Sequence, residues 1–323
     1  MRAGLKLIQI QPDGSSTINS AIYQNNRSPF IAACRLLIAA FMFLLTFPLH
    51  AAAPQAVNGN AMPQPANAVD WINAAVENQL KIVSGDGQYM RYLEHRHDSN
   101  MNRNQVRDVV ETREGFESRA IEMNGKPLTS DEDAAETQKL KSKLENPDDQ
   151  THHHKREQAD LAYTKKLISQ LPSAMIWTFV PAESNADVVV LDYAPNPAYH
   201  PPSAETVVLQ ALTGRIWIDA HSHIMTKIDA KVEHDAKYGW GLGYDVYGGG
   251  TISLEQHPIE NGIAGHPHWE TTRFMTHVSG TFLVFKHFNF NVVELHDHFT
   301  PVHGSPSYIE GLHMLLDTPA PTK

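Results

Sequence analysis

The chain has 323 residues, and 26 Lys and Arg stand against 36 Asp and Glu for a formal charge of −10. That acidity excludes nucleic acid as the natural partner, because phosphate binding needs a positive surface. The single cysteine, Cys34, lies ahead of an apolar run that reads as part of a signal peptide, so the mature chain is expected to hold none, which excludes disulfides, thiol nucleophiles and Cys-ligated metals by count.

Leu36 to Phe47 is an apolar run, shorter than the about 20 residues that a membrane-spanning helix needs. Arg27 and Arg35 precede it, and Ala51, Ala52 and Ala53 follow. Basic, apolar, small is the order of a secretory signal peptide. Residues 1–53 are therefore read as a signal peptide with a long leader, which places the chain in the periplasm. An uncleaved anchor is the plainer alternative. Without Arg2, Lys6, Arg27, Arg35 and Asp13 the remainder holds 22 basic and 35 acidic side chains, so it is more acidic still.

Residues 54–66, rich in Pro, Ala, Asn and Gln, read as a flexible linker. Val69, Ile72, Val76, Leu80 and Val83 then recur at helical spacing, with Asn67 as N-cap and Gly85 and Gly87 as the stop. "QYMRYLEHRHD" and "NQVRDVVETREGFESRAIEMNG" predict strands, with Asn124-Gly125 as a turn. Residues 129–172 are a charged insert of solvated helix or loop. Leu161, Leu167, Ile168 and Leu171 mark a helix there that Pro172 stops. His152, His153 and His154 are placed in a hydrated loop.

From Ile176 the texture turns to β. The expected strands are MIWTFVPA, ADVVVLDYA, SAETVVLQALTG, RIWIDAHSHIMTKIDAKVEHD, GTISLEQH, HWETTRFMTHVS and GTFLVFKHFNFNVVELHDHF, and residues 316–323 read as a disordered tail. Few helices alternate with these strands, so a curved antiparallel sheet is expected rather than a parallel α/β fold.

His221-x-His223 resembles the metal-binding strand of amidohydrolases. That fold is a (β/α)8 barrel of about 200 residues or more, and too little chain follows His223 to build one. Alternation offers another cause. Ile216, Ile218, Ala220, Ser222, Ile224, Thr226, Ile228, Ala230 and Val232 form an apolar or small face, and the two histidines fall on the polar face. Among the other histidine pairs, Glu294-x-His296-x-His298 is the nearest thing to a metal site, since all three are expected on one strand face behind Phe288, Phe290 and Val292. One strand supplies only part of a ligand set, so no metal site is assigned and a strand end entering solvent is preferred. Gly239-x-Gly241-x-Gly243 lacks the strand–helix context of a phosphate loop and reads as an aromatic hairpin or lid. G-x-S-x-G, H-E-x-x-H and the P-loop are absent from the sequence, so the chain is read as a non-enzyme without a cofactor.

The order of parts from Asn67 to Phe299 resembles the outer-membrane lipoprotein-sorting proteins, the LolA/LolB-like half-barrel superfamily. The stretch most like it is "LTGRIWIDAHSHIMTKIDAKV" followed by "YGWGLGYDVYGGGTISLEQHP", with Trp217 beside Asp219 and Lys227 beyond. The resemblance implies an α+β, mainly β fold. Its core is an incomplete antiparallel barrel whose concave face helices cover, here a single domain over residues 67–315. It implies an envelope carrier or sensor that binds a lipid, acyl chain or lipoprotein, with transient membrane contact. Ile216, Ile218, Ile224, Ile228, Phe288 and Phe290 are the candidate ligand-binding residues, and a closed core is their plainer use. A metal-binding protein or metal-dependent enzyme using the H-x-H pairs is one alternative. A structural or regulatory module that binds an envelope protein partner is another.

Overall fold

The computed structural model describes residues 67–85, 87–238, 244–259, 268–282 and 286–321. The expected signal peptide and linker lie outside them, as do Gly239, Gly241, Gly243 and His266. Helix α1 (Ala68–Ser84) begins where the sequence predicts, because the Asn67 side chain accepts the Asp70 N–H at 2.9 Å and satisfies a free helix-end donor. Strands β1 (Tyr89–Asp98), β2 (Arg103–Thr112), β3 (Gly115–Met123) and β4 (Lys126–Pro127) follow, then helices α2 (Ser130–Leu144) and α3 (Pro147–Ala174). Next come β5 (Met175–Phe179), β6 (Val188–Pro195), a 3-10 helix (Ala204–Ala211), β7 (Leu212–Asp219), β8 (Met225–Val232), β9 (Ala236–Tyr238) and β10 (Tyr244–Val246). The described chain closes with β11 (Thr251–Ile259), β12 (His268–Phe282), β13 (Lys286–Val302) and α4 (Tyr308–Asp317).

The thirteen strands make one antiparallel sheet in the order β4-β3-β2-β1-β13-β12-β11-β8-β7-β6-β5, with β10 paired to β12 and β9 to β10. The path runs from β4 to β5 without closing, so the sheet is an incomplete barrel and the fold is α+β, mainly β. Its inner face buries Leu191, Ile216, Ile218, Leu254, Phe274 and Phe288 against Trp71, Ile72 and Val76 of α1 and Leu167 and Ile168 of α3. Each large apolar side chain so buried contributes about 1.5–3 kcal/mol before chain entropy is counted. A second cluster packs Leu140 of α2 and Leu312 and Leu315 of α4 on Val110 of β2. Val109 points the other way, to Tyr92. No helix among the described residues is long and apolar enough to cross a membrane.

Several expectations change. The stretch read as one long strand is the β7–β8 hairpin, with Ile216 opposite Ile228. Its turn is built by Asp219, whose carboxylate accepts the Ser222 N–H at 2.6 Å, the Ser222 hydroxyl at 2.7 Å and the His221 N–H at 3.1 Å. "GTFLVFKHFNFNVVELHDHF" is likewise two strands, for Phe282 pairs with Lys286. "SAETVVLQA" forms the 3-10 helix rather than a strand. Pro172 does not stop α3, which runs on to Ala174. A proline this close to a helix end removes one internal hydrogen bond and little more. His152–His154 lie in α3 rather than in a loop, and His153 is buried beside Glu117, Glu157 and the Tyr308 ring. The unforeseen α4 carries Asp317 two residues into the stretch read as a tail.

Candidate functional site: an apolar cavity and a buried ionic cluster

The inner face carries two distinct environments. Between the sheet, α3 and the 3-10 helix lies a cavity of about 80 Å³. Ile216, Ile228, Phe274, Val278, Phe288 and Phe290 belong to its sheet wall, and Leu167, Leu171 and Leu209 to its helical lid. The polar groups of two lining aromatics are turned away. Tyr193 Oη donates to the Asp229 carbonyl at 3.1 Å and Trp177 Nε1 to the Leu171 carbonyl at 3.3 Å. Lys166 joins α3 to Glu205 of the 3-10 helix at 2.8 Å, and the hydrogen bond from Lys166 is the chief reason the Glu205 carboxyl sits at about 2.

Four of the six candidate ligand-binding residues line this cavity: Ile216, Ile228, Phe288 and Phe290. Ile218 and Ile224 are buried elsewhere, Ile218 in the main core. The volume matters for what can enter. An apolar cavity of roughly 150 Å³ holds a benzene-sized guest, so the cavity as it stands is too small for an acyl chain.

The histidine pair that opened the metal question is split by its turn. His221 is exposed, with Nε2 3.2 Å from Asp187. His223 is not on the wet face. It takes a left-handed backbone (φ 53°) and is buried edge-on against Trp71, ring centroids 5.0 Å apart. The pair does not converge on one point.

Glu294 and His296 do converge, with a residue that sequence reasoning missed. In the ladder Glu94 of β1 lies opposite His296 of β13, and Arg96 opposite Glu294. Arg107 of β2 lies opposite Glu94 on the other side. Period-two alternation thus stacks Glu94, Arg96, Arg107, Glu294 and His296 on one face. Glu94 is 2% exposed and Glu294 0%. Arg107 Nη2 donates to Glu94 Oε2 at 2.7 Å, and Arg96 Nη1 donates to Glu294 Oε1. His296 Nδ1 lies 3.0 Å from the Thr271 carbonyl. His298 does not join them. The β1–β13 register shifts between Arg91 and Leu93, and His298, with φ 54°, is turned out to solvent beside Asp297.

Electrostatics in the cluster follow from burial and these partners. Burial alone would raise the Glu94 carboxyl, but Arg107, with His296 and Arg96 beyond it, holds it below the ordinary carboxylate value. Glu294 moves the other way, raised by burial and by the charge on Glu94 against the pull of Arg96 and Arg107. Burial lowers His296, which favours the neutral imidazole. Tyr92, whose ring lies 5.0 Å from that of His296, is raised by burial and by the fields of Glu111, Glu94 and Glu270.

The sequence matches no protein-family model and no curated protein. Among solved structures, the crystal structure of MucB in complex with MucA(peri) aligns with 72% of this chain and 94% of its own, at 11% identity and a TM-score of 0.22. A TM-score that low does not establish a common fold or function.

Proposed function

We propose that the chain is a non-catalytic protein of the cell envelope that takes the acyl chain or other apolar part of a ligand into the inner-face cavity. The observation that carries this reading is the apolar wall of that cavity, lined from both the sheet and a helical lid. At about 80 Å³, the cavity admits an acyl chain only when α3 and the 3-10 helix move away from the sheet. The lid is suited to such a shift. Pro172 leaves one helical hydrogen bond of α3 unmade, and the Lys166–Glu205 pair lets the two lid elements travel together. Each CH₂ brought in from water is worth about 0.8 kcal/mol, so a long chain offsets a modest cost of opening.

Trp177 in the cavity wall supplies the test. A brominated fatty acid bound there quenches its fluorescence, and Trp177→Phe removes most of that quenching while leaving the affinity within a small factor. Ile228→Phe, which fills the space, weakens uptake by about tenfold or more, the equivalent of roughly two lost CH₂ contacts. Quenching that persists unchanged in Trp177→Phe, or no uptake by the unaltered protein, overturns the carrier reading. The second outcome favours a closed module that binds an envelope protein on its surface.

A further inference from the structure

We propose that Glu94, Glu294 and His296 form a site for one divalent transition-metal cation of the zinc class, pinning β1 to β13. Each of the three residues offers one ligand atom within 4.8 Å of the other two. Each also keeps one buried polar atom without a hydrogen-bond partner: Glu94 Oε1, Glu294 Oε2 and His296 Nε2. An unmet buried polar atom costs about 1–3 kcal/mol, more when it is charged. Three in one cluster call for an occupant.

The chemistry of the set narrows that occupant. Carboxylate oxygens and the free nitrogen of a neutral imidazole are all acceptors. Nothing among the three donates to the others, so the groups are reconciled by a cation, by a shared proton or by a buried water that donates to them, and only the first binds zinc. The outer atoms are already fixed. Arg107 holds Glu94 Oε2, Arg96 holds Glu294 Oε1, and the Thr271 carbonyl faces His296 Nδ1. A backbone carbonyl on Nδ1 fixes the tautomer that presents Nε2 as a lone pair, as it does for metal-bound histidines. Imidazole with carboxylate suits zinc and its neighbours, whereas calcium takes six to eight oxygens. Zinc bonds of about 2.0–2.2 Å place tetrahedral ligands roughly 3.4 Å apart, a spacing that small side-chain rotations reach from 4.8 Å.

Charge is the strongest objection, since two arginines flank the site. Their two positive charges are matched by Glu94 and Glu294, so the added cation needs further negative charge. Glu111 and Glu270, each 2% exposed, add to the negative field around Tyr92, whose ring lies beside that of His296; Glu111 also accepts the Met90 N–H at 2.8 Å, and Glu270 lies 2.5 Å from His268 Nε2. Three protein ligands also leave a fourth coordination position open.

The test is zinc binding by the whole protein after dialysis against a chelator, read by competition with a chromophoric chelator. One zinc per chain is expected. His296→Ala and Glu294→Gln weaken it by about a hundredfold or more, since even outer-shell changes at metal sites cost roughly 10- to 100-fold. His298→Ala and the double change His152→Ala with His154→Ala leave it intact. X-ray absorption of the zinc-loaded unaltered protein keeps the test independent of how the variants fold. One imidazole with carboxylate oxygens around the metal supports the site. No stoichiometric zinc, or a shell of two or more imidazoles, overturns it.

Discussion

Arg107→Met isolates what the buried ionic cluster is worth. The substitution keeps most of the side-chain volume but removes the Arg107 Nη2 donor to Glu94 Oε2, at 2.7 Å. Glu94 is left 2% exposed in a setting where breaking a buried pair costs about 3–5 kcal/mol. The lower end applies, because the Arg107 side chain is 22% exposed and water can take part of its place. A loss of about 3 kcal/mol corresponds to roughly 6–12 °C in melting temperature for a domain of this size. Thermal and urea unfolding in chelator, for Arg107→Met, Glu94→Leu and the double variant, closes a cycle. The double variant should recover most of the loss, because removing both charges removes the stranded one. The gap between Arg107→Met and the unaltered protein should also narrow in acid. Without Arg107 the folded Glu94 pKa rises above its unfolded value of about 4.3, so the penalty is present at neutral pH and fades as pH falls and the carboxyl protonates. In the unaltered protein the folded Glu94 pKa is lowered, so its contribution is lost over the same descent. A loss under about 1 kcal/mol for Arg107→Met, or a double variant as unstable as the single, would refute the claim that Glu94 is a desolvated charge.

Two further outcomes follow from the hairpin that holds the inner face. Asp219 is held below the ordinary carboxylate value: burial opposes this, but the Ser222 and His221 donors prevail. Its contribution is therefore full above the unfolded pKa of about 3.9 and lost as pH falls through the folded value, so Asp219→Ala should flatten the acid limb of the stability profile below about pH 4. A Cβ at Gly214 would overlap the Asp229 carbonyl oxygen and stand 2.7 Å from Tyr193 Oη. Gly214→Ala should then cost about 1–3 kcal/mol as an overpacked site, against about 1 kcal/mol for Tyr193→Phe, which only deletes the bond to Asp229; equal losses in urea unfolding would show that the clash is absorbed.

Helix α1 was legible because its burial is one-sided, which gives an apolar stripe, and because Asn67 caps it. Strand β2 is buried on both faces, Val110 against α2 and α4 and Val109 against Tyr92, and its segment was legible from the Asn124-Gly125 turn and β-forming residues rather than from one-sided burial. The β7–β8 turn escaped because residues 220 and 224 stay buried across it, so alternation continues through a reversal of direction. Asp219 at the turn start was the available signal, as an Asp side chain that accepts N–H groups two and three residues on is a turn former. Helix α4 was announced by Ser307 and Glu310, which form a capping box, and Thr129 with Glu132 does the same for α2. Two of the five residues of the ionic cluster were visible, Glu294 and His296. Glu94 could not be added, because its neighbourhood depends on pairing between segments 198 or more residues apart, and alternation fixes a face but not a partner.

One strand connects the two candidate sites. Along its inner face β13 presents Phe288 and Phe290 to the cavity, then Val292, then Glu294 and His296 to the ionic cluster. Register couples them, for a slip of one residue would send all five side chains to the opposite face. An apolar core explains the first three residues and not the last two. Burying an ion costs several kcal/mol even after relaxation, and hydrophobic replacements of similar volume are often at least as stable. Stability alone therefore gives no reason for a charged end to this face. The unmet oxygens of Glu94 and Glu294 and the unmet nitrogen of His296 make the same point locally, because a cluster selected only for packing would satisfy or remove them. The cavity is where the apolar inner face has space, and the Glu94–Glu294–His296 cluster is where that face departs from a simple core.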